Sequence, residues 1–520
     1  MKQIGFKNFR KFKDFPPMDL APITILVGEN NAGKSTVVKG ILALSDFLNE
    51  KDTVSDAFMQ FDDDINDGKD NRKEQNQKLL KNLKFYFNTS YLAHIGTFKR
   101  ALYNKADNDS ITFTADLGFI NISVTVKGDR QNEEAVSGTL SLLQINLPLF
   151  NIDMVFDIET DNAVIVFNPN PKEGIPAKAL ERVEKYYSVI DKERSFHTKI
   201  SDNWFPYRGN LISSFITIFE RVITETIEQY EKDNEDSKYP YWGRSVSPFY
   251  NLNDDELQFL SRMASSLYNS PNGRRDIARG FRFTPVLNGP YSRFANIEYL
   301  YAHAVTQTVI YSAKDTNDYL SLTIHEFAPH QRTKYKRHFV LKWMREFGIG
   351  NDFIIKSVGG EAHIVYIINN DGEKVNLADK GMGTIQLMVL LFRLAITLPL
   401  QGINDVINYG KKVVIIEEPE QNLHPMLQSK LADLFYELSQ HFNYNFIIET
   451  HSEYLIRKTQ VIVSKHFNTD EKIKNNPFKV YYFPAEGVPY EVKYRPNGRF
   501  ENEFGKGFFD EAANLTFKLF

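Results

Sequence analysis

The sequence contains no cysteine and only three tryptophans among its 520 residues. Without thiols there is no disulfide framework and no thiolate-held zinc or iron–sulfur centre, which fits a reducing compartment. An apolar run of about 18 residues, the minimum for a membrane-spanning helix, is also missing. The opening Met1-Lys2-Gln3-Ile4-Gly5-Phe6-Lys7 leads into charged sequence without the apolar stretch of a secretory signal. The expectation is a cytoplasmic protein with no membrane contact. Nor is there a large excess of one charge: the formal net charge is −4, so any nucleic-acid contact must come from local patches.

What is present is ordinary for a globular chain of two or three domains, with 42% hydrophobic and 25% charged residues. Lys2 to Phe9 and Ile23 to Val27 read as strands, the second a short apolar run that ends at a glycine, as a buried parallel strand does. Lys34 to Leu48 reads as a helix. Lys51 to Lys81 is polar, and its Asp62-Asp63-Asp64 run reads as a solvated loop rather than a metal site, because no second ligand cluster accompanies it. Ile111 to Phe113 and Asn121 to Lys127 alternate as antiparallel strands do. From about Gly128 the chain is rich in tyrosine and phenylalanine at helical spacing, as in Ala177 to Tyr187, Ile212 to Tyr230 and Asp255 to Tyr268; these stripes read as core rather than as base-stacking platforms. The expected organisation is therefore 1–130 and 341–520 as two parts of one head, and 131–340 as a mainly helical inserted domain. Within the second part, Phe353 to Val358 and His363 to Asn369 predict a hairpin around Gly359-Gly360.

The chemistry concentrates in two places. Gly28-Glu29-Asn30-Asn31-Ala32-Gly33-Lys34-Ser35 fits the phosphate-loop pattern, with a strand before it and a helix after it. Asn30, Asn31, Ala32, Gly33, Lys34, Ser35 and Thr36 are the candidate nucleotide-binding residues. Their backbone N–H groups would cradle phosphates at a helix N-terminus, Lys34 would neutralise the β- and γ-phosphates, and Ser35 would hold Mg²⁺. Far downstream, Val413-Val414-Ile415-Ile416 is a buried strand that delivers Glu417 and Glu418 at its carboxyl end, where ligands sit in an α/β sheet. Glu417 is the candidate second Mg²⁺ ligand and Glu418 the base that orients the attacking water. ATP with Mg²⁺ is the implied cofactor pair.

Leu423-His424-Pro425 follows, and then a second buried strand, Ile447-Ile448-Glu449-Thr450-His451-Ser452. With Asp379-Lys380-Gly381-Met382-Gly383-Thr384 between the phosphate loop and the glutamates, this order resembles the ABC-type ATPases of the SMC, RecF and OLD group. The resemblance covers the regions before about 130 and after about 340. It implies an α/β fold, an ABC/SMC-type P-loop ATPase head of mixed sheet with flanking helices, interrupted by the insertion. It also implies that His451 contacts the γ-phosphate, that Gly383 is the signature glycine, and that Gly381 stands where many members have serine. The signature of one subunit completes the site of another in this family, which implies a head-to-head dimer or higher homo-oligomer around ATP. Asn8-Phe9-Arg10-Lys11-Phe12 resembles the family's opening strand, with Arg10 a candidate phosphate contact, although an exposed basic turn reads equally well. A Q-loop is not identified; His94 lies in the right region.

Within the group, Glu417-Glu418-Pro419-Glu420, Leu423-His424-Pro425 and the ending from Arg499-Phe500 to Gly507-Phe508-Phe509-Asp510-Glu511 look most like the ATPase subunits of bacterial anti-phage defence systems such as Septu and PARIS. The stretch after His451 lacks the spaced acids of a TOPRIM nuclease domain. This resemblance therefore implies a separate effector partner, a nuclease. The alternative is a RecF-like DNA-binding ATPase of repair. Arg274-Arg275 with Arg279 and Arg282, and Arg332 to His338 with Lys334, Lys336 and Arg337, offer a DNA contact or a solvated helix face.

Overall fold

The computed structural model describes residues 1–49, 72–87, 95–118, 120–148, 152–167, 195–203, 215, 218, 296–300, 308–312, 314–315, 318–398, 412–505 and 507–519. They divide into two compact units, one made of residues 1–20 with 36–295 and the other of 21–35 with 296–520. The chain opens with β1 (Gln3–Phe9), β2 (Phe12–Asp19) and β3 (Ile23–Gly28), and then helix α1 (Lys34–Asn49).

β1 and β2 belong to the first unit, an antiparallel sheet with β4 (Lys84–Tyr86), β5 (Ser110–Asp116), β6 (Asn121–Lys127), β7 (Ser137–Leu147), β8 (Ile152–Asp157), β9 (Asn162–Phe167) and β10 (Ser195–Lys199). The strand order is β10-β9-β8-β7-β6-β5-β1-β2, with β4 beside β7. Buried and half-exposed residues alternate along β5, β6 and β8, the period-two pattern of a sheet covered on one face. On the covered face Phe85 stacks on Phe113 at 4.9 Å and Phe9 meets Phe113 at 5.1 Å. Each such ring contributes about 1.5–3 kcal/mol on burial. Gly40 of α1 lies against Phe6, where a Cβ would come within 2.4 Å of the ring.

The second unit holds a six-stranded sheet in the order β11-β16-β17-β3-β18-β19. Its members are β3, β11 (Asn296–Leu300), β16 (Lys412–Glu417), β17 (Tyr444–Glu449), β18 (Phe478–Phe483) and β19 (Tyr490–Val492). All pairs but β18/β19 are parallel. A parallel sheet is covered on both faces, so its strands are continuous apolar runs: β3 is buried throughout, and Val413 to Ile416 are buried in β16. Packed in the same core are α2 (Tyr319–Phe327), α3 (Lys334–Glu346), α4 (Met382–Ile396), α5 (Pro425–Phe442) and α6 (Glu453–His466). A smaller antiparallel sheet joins β12 (Tyr311–Ser312), β13 (Asp352–Val358), β14 (Ala362–Ile368) and β15 (Lys374–Asn376). The β13–β14 hairpin turns at Gly359 and Gly360, whose φ of 60° and 75° suit glycine.

The edges of the expected insertion are corrected. Between 131 and 199 the described residues are mostly strand, because β7 to β9 continue the alternation that began in β5. The second unit starts by Asn296 rather than 341, since β11 pairs with β16 and α2 and α3 join the core of that unit. Of the three helical segments read in this region, only Phe215 and Ile218 lie within the described residues, and both are helical.

Candidate active site

Parallel pairing explains why residues far apart in sequence meet. In β16, β17 and β3 the carboxyl ends share one edge, with Glu417 in register with Glu449, and Glu449 with Leu26 just before Gly28. Gly28 begins the phosphate loop at a φ of 135°, and a Cβ there would fall 2.1 Å from the Phe483 carbonyl, so only glycine fits. Asn31 takes the left-handed conformation at φ 59° and Gly33 follows at 108°. The loop thereby feeds α1, whose first turn carries Lys34, Ser35 and the buried Thr36.

Lys34 is 3% exposed, and its Nζ donates to the carbonyls of Gly28 at 3.0 Å and Glu29 at 2.9 Å. Burial lowers its pKa, and the Glu449 and Glu418 carboxylates counter part of that shift. The Ser35 hydroxyl donates to the Glu449 carboxylate, 3.1 Å from Oε1 and 3.0 Å from Oε2. Glu449 is 6% exposed. Burial, reinforced by the Glu417 charge, pushes its carboxyl up to about 7, against the opposing effects of Ser35 and Lys34.

Glu418 turns sharply off the strand at φ 45°, its N–H donating to the Glu449 carbonyl at 2.7 Å. Its Oε2 accepts from the Gln421 side-chain amide, and its Oε1 lies 3.9 Å from His451 Nε2. His451 is held below the usual histidine range by burial and then by Lys34, while Glu418 acts the other way, so the imidazole faces the cluster neutral near pH 7. The backbone of His451 is fixed by Glu420, whose Oε1 accepts its N–H at 2.6 Å. Ser452 follows as the N-cap of α6.

The expected Lys34, Ser35, Glu417, Glu418 and His451 are thus brought to one sheet edge. Sequence reasoning missed Glu449, Gln421 and Glu420. The signal for Glu449 was available: it is a third acid at the end of an apolar run parallel to that of Glu417. Gly383 sits in the first turn of α4, where a Cβ would come within 2.4 Å of the Asn422 carbonyl, so the signature segment abuts the loop that follows Glu418. Gly381 is the N-cap of α4, with open space where a Cβ would stand. His424 serves as the N-cap of α5, its Nδ1 accepting from Met426 N–H at 3.3 Å. Arg10 lies in the first unit, at φ 51° in the two-residue β1–β2 turn. His94 and the Arg274 to Arg282 cluster lie outside the described residues. In the other basic stretch, Lys336 is buried and donates to the Ile396 carbonyl at 2.6 Å, while Arg337 pairs with Asp352 and covers the Phe353 ring at 4.7 Å. Two of its cations are therefore committed to packing.

A protein-family model described as an AAA ATPase domain matches residues 1–258 and 287–456. The chain belongs to this AAA ATPase family. The expected α/β fold of ATPase type, sheets with flanking helices, is the fold found, and the match in two segments fits an insertion. No curated protein matches. Solved structures resemble it remotely. The SMC head bound to the C-winged helix domain of ScpA is 11% identical with a TM-score of 0.32, over 95% of this chain and 98% of that one. The SMC head domain from Thermotoga maritima is 10% identical with a TM-score of 0.32, over 95% and 98%. The Smc head domain with an extended coiled coil, bound to the C-terminal domain of ScpA derived from Pyrococcus furiosus, is 9% identical with a TM-score of 0.30, over 100% and 98%.

The family implies nucleotide binding, typically with Mg²⁺, and the donor set fits that cation. Ser35 and Glu417 offer only hard oxygen, and the side chain that orients Ser35, Glu449, is a carboxylate too. Among the described residues no three carboxylate or histidine side chains form a ready-made cage. Mg²⁺ is usually held through one or two protein oxygens, with phosphate and water completing the shell. Among the described residues no helix is long and apolar enough to cross a membrane.

Proposed function

We propose that the chain hydrolyses ATP as a molecular switch, its heads pairing around the nucleotide and relaying that state to a separate effector protein. The observation that supports it most is the meeting of Lys34 and Ser35 with Glu449, Glu418 and His451 at one sheet edge. In this reading Asn30 to Thr36 cradle the phosphates and Arg10 adds a phosphate contact. Ser35 and Glu417 hold Mg²⁺, which neutralises phosphate charge when bound. Glu418 orients and polarises the attacking water, and His451 contacts the γ-phosphate. Phosphoryl transfer leaves the protein mainly this positioning and charge neutralisation. Gly381 and Gly383 open α4, a 15-residue helix whose first N–H groups suit an anion, here the γ-phosphate held by a second copy. ATP bound between copies favours the paired state by mass action.

The effector is a nuclease in anti-phage defence. That part rests on the sequence resemblance of Glu417 to Glu420 and Leu423 to Pro425, and the chain acts in the cytoplasm.

The test is ATP turnover together with the mass of the full-length chain in ATP. Lys34→Ala is expected to lower turnover by about a hundredfold or more. Glu418→Gln is expected to stop turnover yet accumulate an ATP-dependent dimer. A wild-type chain that neither binds nor hydrolyses ATP would falsify the reading. Tight DNA binding driven by ATP with no partner present would favour the repair-type alternative, and co-purification with adjacent gene products tests the effector.

A further inference from the structure

We propose that Glu449 is the positioning residue for the cation half of this site, accepting the hydrogen bond of the Ser35 hydroxyl so that the serine oxygen turns its lone pairs to the cation. The inference rests on the ATPase reading and goes beyond it, because the motif order gives the cation Ser35 and Glu417 and assigns Glu449 no part.

A serine hydroxyl carries one proton and two acceptor lone pairs. It can ligate a cation well only if the proton points elsewhere, and that requires an acceptor on the protein side. Glu449 fills that place: both of its oxygens lie within 3.1 Å of Ser35 Oγ, and the residue is 6% exposed. Its position is fixed by backbone rather than by a mobile loop. It is the last residue of β17, paired in register with Glu417 on one side and Leu26 on the other, and its carbonyl accepts the Glu418 N–H at 2.7 Å. A carboxylate at the end of a central strand, next to the strand that leads into the loop, is anchored beside Ser35 by the sheet itself.

The phosphate-binding lysine is parked in the same manner. Lys34 Nζ rests on the carbonyls of Gly28 and Glu29. Both groups destined for phosphate and cation are therefore held by the chain's own oxygens. Lys34 must exchange its partners when phosphate arrives, whereas Ser35 can keep Glu449 and still use its lone pairs. Groups that orient a ligating side chain in this way are worth about 10–100-fold in metal affinity.

The experiment uses Mn²⁺ as the probe, followed by electron paramagnetic resonance on the full-length chain with and without ADP, alongside a fluorescent ADP analogue in EDTA. Glu449→Ala is expected to weaken Mn²⁺ binding by about tenfold or more and to change ADP binding in EDTA by less than about twofold. Glu449→Gln, which keeps an acceptor oxygen, is expected to recover part of the loss. Ser35→Ala is expected to lose as much as Glu449→Ala, and the double variant no more than either, as for two groups acting through one contact. Thermal unfolding of each variant separates this from misfolding, and Glu449→Gln, close in shape to the native side chain, serves if Glu449→Ala does not fold. Unchanged Mn²⁺ affinity in folded Glu449→Ala, or losses that add, overturns the assignment. A wild-type chain that takes Mn²⁺ but no nucleotide, with the Mn²⁺ lost in Glu449→Ala, upholds Glu449 and overturns the ATPase reading. Binding of neither overturns both.

Discussion

His363 illustrates how a single buried side chain sets a pH limit. It is nearly covered between β13 and β12, with Nε2 at 3.1 Å from His325 Nδ1 and Nδ1 at 3.2 Å from Ser357 Oγ. Burial, and then the charge of His325, lower its pKa below the usual histidine value. The sign follows from proton counting: as pH falls past 6.5 the unfolded chain takes up this proton first, so stability is full above that value and declines towards the lower folded pKa. Urea unfolding at pH 5 and pH 7.5 is expected to show a loss at the acid end that is smaller in His363→Gln. At this scale the sequence was only partly legible. Lys34, Ser35 and Glu418 declare themselves by pattern; for Glu449 the pattern marks an acid at a strand end but not its partner, Ser35, which lies 414 positions away along the chain. Glu420 and Gln421 escaped for the same reason, since each acts through a contact that no spacing rule encodes.

Between elements, two glycines two residues apart make a controlled pair. Gly383 brings α4 against the Asn422 carbonyl, and Asn422 itself sits in the left-handed region at φ 58° and bonds to Gln386 of α4 at 3.3 Å. The same loop carries Gln421, which holds Glu418. Gly383→Ala is expected to cost about 1–3 kcal/mol, the usual range for forcing extra volume into a packed contact, and to lower turnover by moving that loop. Gly381→Ser should leave stability unchanged, because nothing stands within 4 Å of the new Cβ. Chemical unfolding and steady-state turnover of the two variants check both statements. Elements were most legible where one signal dominated. Ile23 to Val27, Val413 to Ile416 and Phe446 to Glu449 are apolar runs that end at a glycine or an acid, and all three are strands of the parallel sheet. β11 was hidden because it has only five residues, with Glu298 interrupting its apolar character. β7 to β9 were hidden because aromatic residues at helical spacing further along the chain drew the boundary too early.

For the whole molecule, the order of strands has a consequence for folding. β3 is made early, yet its neighbours β17 and β18 come from the far end of the sequence. Pairings at such separation pay loop-closure entropy before they gain contacts, so refolding is expected to be slow. After dilution from urea, recovery of the fluorescent ADP signal should lag the return of secondary structure; simultaneous recovery would count against this ordering. The same topology matters on the ribosome. At about 5–20 residues per second, the 414 steps from Ser35 to Glu449 take roughly 20–80 s. Until that interval ends the nascent chain carries a phosphate loop without the full set of carboxylates at its sheet edge, since Glu417 and Glu418 arrive late and Glu449 last. Unfinished copies, however many accumulate, therefore lack the strand that sets Glu449 beside Ser35.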